Sequence, residues 1–120
     1  MAFSVLEKTT QLFTGNFVDE TGAAIPATSL STLTLTLYDV VSGTKINGRN
    51  VQNVLNANNV AVSSSGGLTW TMQPADNPII STALANELHV ALWEWTYGAG
   101  GSKAGKHETG FSIKNLANVT

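Results

Sequence analysis

The chain of 120 residues contains no cysteine. That excludes a disulfide scaffold, cysteine-ligated zinc and a thiol nucleophile, so the fold must rest on its own apolar core. At this length one domain with a core of useful size is expected. Charge is scarce as well. Only 12% of the residues are Asp, Glu, Lys or Arg, about half the usual share. Six Lys and Arg lie scattered among eight Asp and Glu, giving a net charge of −2. This is not the basic footprint of a nucleic-acid binder. No apolar run approaches the roughly 20 residues of a transmembrane helix. The opening MAFSVLEKTT lacks the basic and long apolar regions of a secretory signal, so synthesis is expected to end in the cytoplasm. Thr, Asn, Ser and Gly supply the polarity. A surface of hydroxyls and amides has little to hold copies apart, which points to a subunit covered by neighbours in an assembly.

What the sequence does have is a period of two. In Leu30–Asp39 (LSTLTLTLYD), Leu33, Leu35 and Leu37 alternate with Thr32, Thr34, Thr36 and Tyr38. One strand face is apolar and the other suits a wetter, pleated surface. That reads as a β-sandwich, because strands of parallel α/β sheets are continuous apolar runs. Further strands are expected at Gln11–Val18, Thr44–Asn47, Val60–Ser63, Leu68–Met72, Glu87–Tyr97 and Lys106–Leu116. About seven strands with a turn signal roughly every ten residues make an all-β sandwich. The expected core is Leu35, Leu37, Trp70, Leu88, Val90, Leu92 and Phe111. Glu87–Tyr97 (ELHVALWEWTY) is apolar on both faces and is expected to be central in its sheet.

The connections are less regular. Residues 1–10 form an N-terminal arm or edge strand, with the single sandwich domain spanning 11–120. Phe3, Val5 and Leu6 would be left in water by a free tail, so they are candidate contacts to another subunit. Asn47–Asn59 holds six asparagines in thirteen residues. Val51, Val54 and Leu55 have helical spacing there, and a single helical turn is favoured over a loop pinned by side-chain amides. Gln73–Pro78 is a loop in which Asp76 caps backbone amides. Ile79–Ala85 crosses back through a helical turn, and Gly98–Gly105 is a glycine-rich hairpin loop.

Chemistry is hard to find. His89 and His107 read as ordinary strand histidines, His89 being taken to lack a ligand partner at i±2 or i±4. The acidic residues match no calcium-loop spacing. Gly98–Gly105 lacks the order of a phosphate loop, and no nucleophile elbow occurs. No catalytic residue, no metal site and no cofactor is assigned. Trp93, Trp95 and Tyr97 on one strand face are the remaining candidate site. Such a ladder serves a core or a subunit interface more often than a sugar.

One likeness covers nearly the whole chain. It is carried by FTGNFVDETGAAIP (13–26), LTLTLYDVVSGTKINGRN (33–50), VQNVLNANNV (51–60), LTWTMQPADNPII (68–80), ELHVALWEWTYGAGG (87–101) and KHETGFSI (106–113). In this overall pattern the chain resembles small immunoglobulin-like structural proteins of tailed-bacteriophage virions. The resemblance implies an immunoglobulin-like sandwich without catalytic residues. It implies a structural role in the virion without fixing the station; the head or the head–tail connection, decorated or stabilised by the chain, is the first reading, with a tail or baseplate station as the alternative. The partners it implies are capsid, portal or tail subunits and copies of the chain itself, without nucleic acid or membrane. A carbohydrate- or receptor-binding module using Trp93, Trp95 and Tyr97 is the alternative from another class.

Overall fold

The threonine–leucine alternation builds the third strand of a two-sheet sandwich. The computed structural model describes residues 3–80 and 86–114, with the backbone alone at Phe3. Eight strands follow in chain order: β1 (Phe3–Leu6), β2 (Gln11–Asn16), β3 (Leu30–Asp39), β4 (Gln52–Asn53), β5 (Val60–Val62), β6 (Gly67–Met72), β7 (Asn86–Tyr97) and β8 (Lys103–Lys114). The larger sheet has the order β1-β8-β7-β3-β4 and the smaller β2-β6-β5. The strand pairs are antiparallel except β1 with β8, which run parallel. Pairing the second strand with the sixth, the third with the seventh and the seventh with the eighth gives an immunoglobulin-like arrangement. The helical content of the described residues is three short 3₁₀ turns.

Leu33, Leu35 and Leu37 are fully buried. Opposite them on β7 stand Trp95, Trp93 and Ala91. From the facing sheet Leu68, Trp70 and Met72 point in at every second position. The Trp70 ring meets Trp93 edge to face at 5.4 Å and Phe111 at 6.4 Å, the arrangement the ring quadrupoles favour.

The core departs from the sequence reading along β7. Leu88 is 42% exposed and Leu92 half-buried, though Val90 is covered. The inner face carries Glu87, His89, Ala91 and Trp93 instead. Pairing with β3 decides this. Leu35 and Leu33 face inward, and their direct neighbours Trp93 and Trp95 must share that face. β7 itself is central, as expected, with β8 on one side and β3 on the other.

The asparagine-rich segment forms no helical turn. It holds the two-residue strand β4 between loops, with Asn47, Val51, Asn56, Asn58 and Asn59 at positive φ. Asparagine tolerates that left-handed region better than most residues. Side-chain amides pin the loop: Asn56 Oδ1 accepts the Val62 N–H at 2.7 Å, and Asn58 Nδ2 donates to the Asn53 carbonyl at 2.8 Å. The expected strand at Thr44–Asn47 is reduced to one bridge, Tyr38 to Lys45. The hairpin loop ends early, since β8 begins at Lys103. The crossing segment at 81–85 lies outside the described residues.

An ion pair anchors the asparagine loop from inside. Arg49 donates through Nε to Asp76 Oδ1 at 2.5 Å and through Nη2 to Oδ2 at 3.1 Å, with both residues buried. Nη1 is satisfied by Gln52 Oε1 and the Asn58 carbonyl. Asp76 also accepts from Asn47 Nδ2 and the Gln73 N–H. Such a pair is tolerable because its donors and acceptors are nearly all used. Removing one partner strands the other. Asp76→Ala should therefore cost about 3–5 kcal/mol, read as a lowered denaturant midpoint at unchanged slope. A loss below about 1 kcal/mol would mean that the guanidinium finds water.

Candidate functional site

One flank of the sandwich is open. Among the described residues β2 is the edge of the small sheet, paired only with β6. Across the gap, β1 covers β8 only from Phe111 to Lys114. Among the described residues, nothing pairs with the outer side of Lys103–Gly110. The ladder shows which backbone groups of β2 are free. The Thr71 N–H bonds to Asn59 on the β5 side, so by alternation Leu68, Trp70 and Met72 turn their backbone toward β2. Their partners Gly15, Phe13 and Gln11 are used there. The N–H and C=O groups of Leu12, Thr14 and Asn16 face away from the sheet.

Between these two edges lies a groove of about 350 Å³, with Phe13, Phe17, Leu68 and Trp95 along it and Lys106 and His107 at its rim. Its aromatic lining is ordered. Phe13 stacks on Trp93 at 6.1 Å with planes 10° apart, and Phe17 meets Trp95 edge to face at 5.0 Å. Gly105 stands opposite Trp95 on β8, and the indole fills the place a Cβ would occupy. The inward-facing residues of β2 are only half-buried, as expected where a layer of side chains is missing.

Each candidate contact residue has a definite place. Phe3 belongs to β1, opposite Phe111. Val5 is 2% exposed and packs into the chain's own core, while Leu6 is 45% exposed. Trp93 is 2% exposed and Trp95 and Tyr97 are half-buried. The Tyr97 hydroxyl donates to Glu20 Oε1 at 3.1 Å, and Lys103 Nζ donates to Glu20 Oε2 at 2.5 Å. The Lys103 hydrogen bond, helped by Tyr97, lowers the Glu20 pKa from its ordinary value. The aromatic face is thus core at Trp93 and groove wall at Trp95.

A second group escaped the sequence reading. Asp39, Glu87 and His89 are all buried, with one ligand-type atom from each lying within 4.8 Å of the others. His89 Nε2 is 2.6 Å from Glu87 Oε1 and 3.8 Å from Asp39 Oδ1. The i−2 partner taken to be missing is Glu87. Two residues apart on a strand means the same face, and that signal was legible. Asp39 joins only through the β3–β7 register, which sets it directly opposite His89.

Compared with protein-family models, with curated proteins and with solved structures, the chain matches none.

The fit of Trp95 over Gly105 is directly testable. Gly105→Ala should destabilise the domain by about 1–3 kcal/mol through overpacking. It should also alter the near-ultraviolet circular dichroism as the indole is displaced. An unchanged spectrum and midpoint would show that the groove wall yields freely.

Proposed function

We propose that the chain is a non-enzymatic structural subunit of a tailed-bacteriophage particle, on the head or head–tail connection. In this reading it joins a neighbouring subunit by accepting an extended strand along the flank between β2 and β8. The open flank is the observation that carries it. A strand laid there finds the backbone groups of Leu12, Thr14 and Asn16 for hydrogen bonding and an apolar groove for alternate side chains, which is recognition by β-augmentation. Across the gap β1 already covers the Phe111–Lys114 end of the β8 edge, so the fold itself lays a strand on this flank. Long unpaired edges are normally blunted by charge or proline. Gln11–Asn16 carries neither, which supports a partner there.

The likeness to virion proteins and the low charge support the same reading. The carbohydrate alternative has less support, because Trp93 is buried and Tyr97 does not line the groove. Val5 serves the chain's own core, while Leu6 remains exposed on the arm.

Mass spectrometry of purified particles should find the chain as a stoichiometric component. Thr14→Pro removes one outward N–H from an edge strand, where proline is tolerated. Its occupancy should fall at least about tenfold, equivalent to roughly 1.4 kcal/mol, while the isolated variant keeps its thermal midpoint. Absence of the chain from particles would overturn the structural role. Full occupancy of a folded Thr14→Pro variant would overturn the flank as its route of attachment.

A further inference from the structure

The buried group at the end of the sandwich opposite the hairpin has a charge problem that its own atoms do not solve. Asp39, Glu87 and His89 are each at least nine-tenths buried. One imidazole nitrogen, Nε2, faces both carboxylates, at 2.6 Å from Glu87 Oε1 and 3.8 Å from Asp39 Oδ1. A single N–H there serves Glu87. Among the described residues Asp39 Oδ1 is left buried without a hydrogen-bond partner. Asp39 has no lysine or arginine partner either, and the buried cation Arg49 is committed to Asp76. An unpaired carboxylate oxygen in a protein interior is costly.

The orientation of these groups is set from behind. Asp39 Oδ2 accepts both the Ser42 N–H at 3.0 Å and the Ser42 hydroxyl at 2.6 Å, which turns Oδ1 inward. Glu87 Oε1 accepts the Ile80 N–H at 2.7 Å. The His89 ring is braced edge to face against Phe111 at 6.0 Å. Supporting hydrogen bonds thus orient the two carboxylates, as second-sphere partners do in metal sites, whereas His89 is held by packing, its Nδ1 having no hydrogen-bond partner among the described residues.

We propose that Asp39, Glu87 and His89 bind one divalent transition-metal cation, zinc foremost, through Oδ1, Oε1 and Nε2. Two carboxylates and a neutral imidazole neutralise a dication and use the orphaned Asp39 oxygen. The donor set is right for zinc, which takes imidazole nitrogen and carboxylate oxygen. It is wrong for calcium, which requires six or more oxygens. Tetrahedral zinc at its usual bond lengths places neighbouring ligand atoms roughly 3.4 Å apart. Against that spacing the 2.6 Å contact opens by about 0.8 Å and the 3.8 Å separation closes by about 0.4 Å, with all three ligand atoms already within 4.8 Å of one another. The site is distinct from the flank, and its role is to lock β3 to β7 at the end where the two strands part.

Chelator-treated protein titrated with zinc chloride tests this by calorimetry, with elemental analysis for stoichiometry. One zinc per chain is expected, with a thermal midpoint raised by about 5 °C or more in excess metal. Imidazole nitrogen chemical shifts in the unmutated protein identify the histidine that takes the metal, so the result does not depend on a variant folding. His89→Gln and Asp39→Asn should weaken binding by at least the roughly 10–100-fold that loss of a mere supporting partner costs. His107→Gln, at an exposed position, should leave it unchanged. If neither zinc nor manganese binds the folded chelator-treated protein, or if the shifts move at His107 and not at His89, the proposal fails.

Discussion

The register of β3 against β7 is the constraint on which the rest of this molecule depends. Side chains alternate with a period of two, so a slip of one residue would turn every one of them to the opposite face. Leu33, Leu35 and Leu37 would leave the core together, and Asp39 would no longer face His89. The outer face helps to hold the register. Thr32 and Thr96 share a hydroxyl–hydroxyl hydrogen bond of 2.6 Å, next to an irregularity between Leu30 and Thr32 that ends the regular ladder. Core, groove wall and buried acidic group are three results of this one alignment.

The sequence was most readable where one face was polar. Threonine between leucines leaves a single answer, and β3 was legible to the residue. β7 offered two apolar faces, so periodicity could not choose between Leu88–Val90–Leu92 and Ala91–Trp93–Trp95. The choice was made across the sheet, where the leucines of β3 require the tryptophans as neighbours. Glu87 and His89 were carried inside with them. The asparagine loop misled for another reason. Its helical spacing was a coincidence of three apolar residues, whereas the loop is organised by left-handed asparagines and by an arginine reaching a distant aspartate. The parallel pairing of β1 joins distant parts of the chain and leaves no local trace. The flank was illegible because an unpaired edge is a property of the sheet and not of any one strand.

The few charges of this chain are placed with economy. Of six Lys and Arg and eight Asp and Glu, four are buried among the described residues: Asp39, Arg49, Asp76 and Glu87. The surface is therefore even less charged than the composition suggests. Apolar side chains such as Leu12, Val41 and Val51 stand exposed beside hydroxyls and amides. Such a surface is weakly repulsive toward its own kind. It agrees with a protein that ends in an assembly, and it ties the interior ion pairs to the exterior: each charge spent on organising a loop is one withdrawn from the surface.

The parallel pairing of β1 with β8 has a consequence for how the chain comes to be folded. β1 leaves the ribosome before the other seven strands, yet its partner is the eighth. Closing so long a loop is entropically expensive and comes late, after contacts nearer in sequence have formed. Through synthesis the small sheet and the β3–β7 ladder can assemble while Phe3–Leu6 waits. Until it docks, the outer edge of β8 is bare along its whole length. A nascent chain is thus at its most adhesive in its last moments of folding, and the order in which its two ends meet decides whether that edge closes on its own strand or on another copy's.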